Sequence, residues 1–246
     1  MNEQANLKYI LFIDIETVSS APEYNKLDER FKDLWAKKMR WQIEKENKTA
    51  EQLYEKAAIW AEFGKIVCIS AGYVVEEKNE KKIFRLKSFY GHNEKNILLS
   101  FAELLNTHFN TNRHLLCAHN GKEFDFPYIA RRMLIHGIKL PVVLDLSGKK
   151  SWEIKHIDTL EMWKFGDYKH YTSLDLLAAL FNIPSPKEQI DGSQVNSVYW
   201  QENNLEKIAE YCQRDVITIC KLYMKFKLIS DIDNLTVDIA KPSVNN

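Results

Sequence analysis

An excess of charge of either sign is what this 246-residue chain most plainly lacks, since 34 Lys and Arg balance 34 Asp and Glu. That excludes an overall positive field able to hold nucleic acid loosely, so any such contact must come from a local patch or through metal ions. Cysteine is scarce as well. Cys68, Cys117, Cys212 and Cys220 sit within apolar segments and form no Cys-x-x-Cys pair. This argues against a zinc site or a disulfide framework and fits reduced core thiols in an intracellular protein. No apolar run reaches membrane-spanning length, and the polar residues 1–6 have no signal-peptide core behind them. The expectation is a soluble cytoplasmic protein with no membrane partner. No repeat and no composition break interrupts residues 1–229.

The composition, 45% hydrophobic, supports a substantial core and argues against general disorder. The chain is organised around residues 9–17, a near-continuous apolar run ending in Asp14-Ile15-Glu16-Thr17. It is β-branched and aromatic, too short for an ordinary helix, and followed by Ser19, Ser20 and Pro22, which reads as a strand buried on both faces. Side chains alternate along a strand, so Asp14 and Glu16 share a side. Like charges held close and partly desolvated raise each other's pKa, and a divalent cation with its preference for hard oxygen ligands removes that difficulty. Taken alone, the pair fits equally well as solvated acids just past the strand end.

Residues 22–61 are highly charged, with Phe31, Leu34, Trp35, Met39 and Ile43 at three- and four-residue spacing. This predicts two amphipathic helices, the second introduced by Thr49 with Gln52 three residues on. Residues 65–75 and 83–90 read as a hairpin, 94–109 as a helix, 114–119 as a short strand and 124–136 as a helix. A further strand is expected within 153–158, a helix over 173–181, and the longest helix over 205–228. The order suits a mixed sheet covered by helices, an α/β domain. The domain expectation is one unit over residues 1–229, with 22–61 as a helical insertion and 230–246 as a flexible tail.

Other acids fall at suggestive places. Asp125 lies near the start of a helix, after a turn that Gly121 would permit, and a carboxylate there benefits from the helix dipole. Tyr211 and Asp215, four apart on the long helix, project from one face. They fall about 80 to 120° from the centre of the stripe Leu205, Ala209, Cys212, Val216, Ile219 and Tyr223. They would border the core without entering it. Each has a plain structural explanation when taken singly.

Together these residues resemble the three motifs of the DnaQ-like 3′–5′ exonucleases, the DEDD group, which has a ribonuclease H-like fold. The motifs are Asp14-x-Glu16-Thr17, then Asn120 with Phe124-Asp125 and Pro127-Tyr128, then Tyr211-x-x-x-Asp215. The run from Asn120 to Tyr128 is most similar to the proofreading domains of family B DNA polymerases. Tyr211 places the last motif in the tyrosine subtype; the histidine subtype would need His where Glu210 stands. The implied fold is a mixed five-stranded sheet with helices on both faces and the insertion after the first strand.

The resemblance implies that Asp14, Glu16, Asp125 and Asp215 hold two divalent cations, Mg²⁺ or Mn²⁺. Tyr211 would orient the attacking water, an unperturbed phenol being a poor general base near neutral pH. Thr17, Asn120 and Phe124 would contact the terminal nucleotide, though a core role for Phe124 is the commoner one. Asp158 and Asp175 read as cap or loop residues and Asp231, Asp233 and Asp238 as solvated. Arg131-Arg132 and Lys149-Lys150 fit phosphate contacts or surface charge clusters equally well, and the histidines show no metal-ligand spacing. The implied activity is release of nucleoside monophosphates from single-stranded DNA or RNA 3′ ends, DNA favoured. No polymerase domain is expected within these 246 residues, so proofreading, if any, would be in trans. A nucleic-acid-binding module without catalysis on the same fold is the alternative, and another phosphate-ester hydrolase a third.

Overall fold

The structure, a computed structural model, describes residues 7–76, 81–167, 171–184, 190–230, 235–240 and 243–244. The run predicted as the central strand is β1 (Ile10–Ser19). On one side it pairs antiparallel with β2 (Gly64–Glu76), and β2 pairs antiparallel with β3 (Lys82–Tyr90). The hairpin turn at residues 77–80 lies outside the described residues, as do Asp231 and Asp233. On its other side β1 pairs in parallel with β4 (Leu115–Ala118), which continues to β5 (Ile157–Asp158).

Alternation along β1 feeds two cores. Leu11, Ile13 and Ile15 pack beneath α3 (Glu94–His108) and α4 (Asp125–Ile135). Ile10 and Phe12 point the other way, onto Val216, Ile219, Cys220 and Tyr223 of the longest helix. All six residues of the stripe predicted for that helix are buried. Helices therefore cover both faces, as expected. All four cysteines are free and buried. Among the described residues no helix is long and apolar enough to cross a membrane.

The insertion forms α1 (Glu29–Lys38) and α2 (Arg40–Glu46), then a 3₁₀ helix over Gln52–Ile59. The predicted capping box is present, with Gln52 N donating to Thr49 Oγ1 at 3.1 Å and Thr49 N donating to Gln52 Oε1 at 2.8 Å. Trp35, Met39, Leu53, Tyr54, Ala57 and Phe63 make a small core of their own. Phe31 and Leu34, assigned to the same stripe, stay partly exposed at its rim, Phe31 with its ring against Phe63.

Several elements differ from expectation. Only Ile157–Asp158 of the 153–158 segment is a strand, and it runs directly into α5 (Thr159–Lys164), whose N-cap is the Asp158 side chain. The predicted 173–181 helix is α6 (Leu174–Leu180), capped by Ser173. A short α7 (Val195–Ser197) continues into a π turn, Val198–Glu202, before α8 (Leu205–Phe226). Within the expected tail, β6 (Thr236–Ile239) and β7 (Ser243–Val244) add in parallel to the outer edge of β3. The unpaired amides and carbonyls of an edge strand favour such cover, and a half-exposed strand carries no clear period. Among the described residues the sheet thus has seven strands, in the order β5-β4-β1-β2-β3-β6 with β7 also on β3, not the five expected.

One buried ion pair ties these layers together. Glu94 accepts from Ile66 N at 2.7 Å, from Arg132 through a two-pronged contact, and from His136 Nε2 at 2.7 Å. Arg132 also donates to Ala61 O at 2.9 Å. Arg132, weighed in the sequence as a phosphate contact or surface charge, is thus a structural bridge among α3, α4, β2 and the insertion. Removing one member of a buried pair strands the other charge. Arg132→Met is expected to cost about 3–5 kcal/mol, a melting-temperature drop of roughly 10 °C for a chain of this size. Adding Glu94→Leu should recover most of it. A single variant as stable as the wild type in thermal denaturation would show that the pair holds nothing.

Candidate active site

β4 pairs only with Ile10–Phe12, so the rest of β1 projects past it. Asp14 stands opposite Ser70 of β2 and Glu16 opposite Cys68, and the register shifts between Glu16 and Thr17. Such bulges bend a strand and re-aim its side chains. Asp14 is half-buried and Glu16 buried.

Asp125 reaches the same place from the turn after β4. The left-handed residue of that turn is Asn120, at φ 62°, not Gly121. Glycine is required at 121 for space instead: an added Cβ would lie 2.4 Å from Ala118 Cβ and 2.9 Å from the Phe126 ring. Asp158 pins the turn, accepting from Asn120 N at 3.0 Å and Lys122 N at 3.1 Å while capping α5 through Leu160 N at 2.9 Å. Its expected cap role is what the structure shows. Asp125 then opens α4, buried, with its carboxylate accepting from the Ile15 amide.

α8 brings Tyr211 and Asp215, both half-buried at the border of its apolar stripe, as the helical wheel predicts. Cys212 Sγ donates to the Asp14 carbonyl at 3.4 Å and fastens α8 to β1 at that level. The Cys212 thiol also lies with the Asp14 and Glu16 carboxylates, all within 4.8 Å of one another. Burial pushes that thiol well above its ordinary pKa, so it packs as a neutral group. Asp14, Tyr211 and Asp215 line a cavity of about 330 Å³ together with His119, Tyr171, Asp175 and Asp191.

The electrostatics of the cluster are severe. Burial raises Asp14 well above the usual carboxylate range, and the charges of Asp215 and Asp125 raise it further. Glu16 is raised in the same way, by burial first and then by Asp14 and Asp215. Burial pushes Asp125 up to about 7, with amide hydrogen bonds opposing and Asp158 and Asp215 adding to the shift. Tyr211, hydrogen-bonded to Asp215, has its phenol raised by burial and then by Asp215, Glu16 and Asp14. Asp14 Oδ2 and Asp125 Oδ1 are buried without a hydrogen-bond partner among the described residues. Buried polar atoms are normally satisfied. Orphaned oxygens on mutually repelling carboxylates fit hard divalent cations.

The structure thus brings near one another five residues singled out in the sequence: Asp14, Glu16, Asp125, Tyr211 and Asp215. The assignments of Thr17, Asn120 and Phe124 to the substrate meet a different setting. The Thr17 hydroxyl is buried and donates to Ala58 O at 2.9 Å, holding the insertion. Asn120 forms the turn, and Phe124 is half-buried against the core with its ring 5.3 Å from Tyr128. Tyr171, Asp191 and His119 were missed as cavity residues. His119 is held by Thr159 Oγ1 and Thr172 O, each at 2.9 Å. No motif or period marks these positions.

A family model described as a predicted 3′–5′ exonuclease related to the exonuclease domain of PolB matches residues 59–240. The match starts beyond β1, so Asp14 and Glu16 join the site through the fold. The family B DNA polymerase of the hyperthermophilic archaeon Pyrobaculum calidifontis aligns in structure with a TM-score of 0.53 and 14% sequence identity. The alignment covers 89% of this chain and 24% of the polymerase. That likeness shows a shared fold.

The raised carboxyls make stability depend on pH with a definite sign. The folded pKa of Asp125, about 7, lies above its ordinary 3.8. Its contribution is therefore full below about pH 4 and is lost as pH climbs through about 7. In EDTA, Asp125→Asn should melt level with the wild type near pH 4 and increasingly above it as pH rises. The gain should reach up to about 4 kcal/mol, or roughly 10 °C. Saturating Mn²⁺ should reverse the order, because binding stabilises the fold that binds. A variant less stable than the wild type at pH 8 in EDTA would contradict this account.

Proposed function

Because the chain belongs to the family of predicted 3′–5′ exonucleases related to the exonuclease domain of PolB, we propose that it hydrolyses single-stranded nucleic acid from the 3′ end. DNA is the favoured substrate and nucleoside monophosphates the product. The observation that carries this reading is the convergence of Asp14, Glu16, Asp125 and Asp215 from β1, α4 and α8, with two carboxylate oxygens left without partners among the described residues. A non-catalytic module on the same fold would have no use for so costly a cluster.

The four carboxylates would hold two divalent cations, Mg²⁺ or Mn²⁺, which when bound supply activation of the attacking water and charge stabilisation at the leaving 3′ oxygen. The protein's own groups do the positioning. Tyr211 keeps its proton at neutral pH because burial and the neighbouring acids raise its phenol. It therefore serves as a hydrogen-bond donor that orients the water, not as a general base. The cavity of about 330 Å³ beside Asp14 and Asp215 is at the small end of ligand sites and suits a single terminal nucleotide. Asn120, in the turn before α4, and Phe124, the residue preceding Asp125, would meet that nucleotide's sugar and base.

The test is digestion of 5′-labelled single-stranded DNA and RNA with Mg²⁺, Mn²⁺ or EDTA. A ladder shortening from the 3′ end is expected, abolished by chelator and by Asp14→Ala/Glu16→Ala. Tyr211→Phe should keep strand binding and lower kcat about a hundredfold, the scale on which a misplaced reacting group slows a reaction. A well-folded protein that yields no ladder with either metal would sink the proposal.

A further inference from the structure

A hollow of about 430 Å³ lies where the end of α3 meets β2, β3 and β6. Leu11 lines it from β1, and alternation along that strand puts Leu11 on the opposite face of the sheet from Asp14 and Glu16. The apolar lining includes Tyr73 and Leu104, both half-buried, with the buried Leu11, Ala71 and Phe109. Its charged lining, besides His108, is Lys8, Arg85 and Lys87 against the single acid Asp238.

The cations are left uncompensated by the fold. Arg85 and Lys87 alternate onto one face of β3, and their neighbours across β2 are Tyr73 and Ala71, neither of which carries charge. Asp238 stands opposite Arg85 in β6, yet among the described residues neither Arg85 nor Lys87 has an ion-pair partner. Lys87 Nζ lies 4.9 Å from the Phe89 ring centroid, and Arg85 is exposed. Three cations against one acid leave two positive charges in a chain whose net charge is zero.

An open apolar hollow with a polar rim marks an interaction surface, and the sign of the rim selects the partner. What matches is an apolar side chain for the hollow with carboxylates beside it. A nucleic-acid strand matches less well, because it binds by stacking bases on aromatic faces. The half-buried ring here, Tyr73, packs edge-on against Phe109, with centroids 5.9 Å apart. The volume suits one bulky side chain, since sites that enclose a whole small ligand begin at about 300 Å³.

We propose that this hollow docks a segment of a partner protein that presents a bulky apolar side chain flanked by acidic residues. The apolar group lies against Tyr73 and Leu104, and the carboxylates meet Lys8, Arg85 and Lys87. Docking on this face leaves the acidic cleft open, so the proposal stands apart from the exonuclease reading.

The test is fluorescence anisotropy of the full chain with fluorescein-labelled short peptides that carry a central Leu, Phe or Trp among Asp residues. At least one is expected to bind, and to lose binding when the apolar residue becomes Ser or the Asp residues become Asn. Arg85→Ala/Lys87→Ala should weaken binding about tenfold, the scale of two exposed ion pairs, and should make it less sensitive to salt. Leu104→Ser should weaken it with the salt dependence kept. Arg85→Glu/Lys87→Glu should reject the Asp peptide and accept its Lys counterpart, whereas Lys149→Ala/Lys150→Ala, which removes two exposed lysines elsewhere, should change nothing. Failure of every peptide to bind, retained binding of the Asn peptide, or an equal loss in the Lys149/Lys150 variant overturns the proposal. So does competition by oligothymidylate that Arg85→Ala/Lys87→Ala abolishes, which would give the hollow to nucleic acid. Self-association in sedimentation equilibrium that the same variant abolishes would give it to a second copy of the chain and equally overturn the proposal.

Discussion

The repulsion among carboxylates gathered at the open side of β1 is the constraint to which the surrounding structure answers. An apolar strand in the middle of a sheet is a poor place for Asp14 and Glu16, and Asp125 and Asp215 make it worse from two helices. Every nearby element helps to keep them there. Asp158 holds the turn that aims Asp125, Cys212 fastens α8 to the backbone of Asp14, and the bulge after Glu16 turns the strand away. A protein selected for stability alone would replace such a cluster with apolar residues. Its presence, with Asp14 Oδ2 and Asp125 Oδ1 lacking a partner among the described residues, makes this cluster the most costly feature of the fold.

Much of this was legible in the sequence because it rests on local periodicity. The alternation in β1, the hairpin of β2 and β3, the stripe of α3 and the border position of Tyr211 and Asp215 on α8 all follow from spacing. The capping box at Thr49 and Gln52 was equally readable, although the segment it opens is a 3₁₀ helix. What the sequence hid depends on long-range packing. Nothing local shows that Gly121 is needed for the approach of Ala118 and Phe126 while Asn120 takes the left-handed turn. Nothing local shows that Arg132 reaches across to Glu94 and not out to solvent, or that the last strands dock on β3 without a period to announce them.

The residues assigned to the substrate illustrate the same limit. The pattern places Thr17 beside Glu16, but the fold commits its hydroxyl to Ala58. Tyr171 and Asp191 enter the cavity from segments far along the chain, where neither spacing nor composition marks them. The clustered carboxylates are identifiable in advance because their mutual cost makes them stand out; a lone Asp191 or Tyr171 on a cavity wall has no such signature.

The insertion after β1 can be placed in this scheme by its attachments. Ala58 O accepts from both Thr17 Oγ1 and Tyr128 Oη at 2.9 Å, and Ala61 O accepts from Arg132 at 2.9 Å. Ser20 N donates to Phe63 O at 2.8 Å. The close of the insertion thus joins the end of β1 to the outer turns of α4, the two elements that carry Glu16 and Asp125. Gly64 makes that junction possible, since a Cβ there would lie 2.3 Å from Tyr128 Oη and 2.8 Å from Ala58 O. With its own core around Trp35 and Tyr54, this segment braces the end of β1 against α4. Bracing from that side leaves open the cavity lined by Asp14, Tyr211 and Asp215.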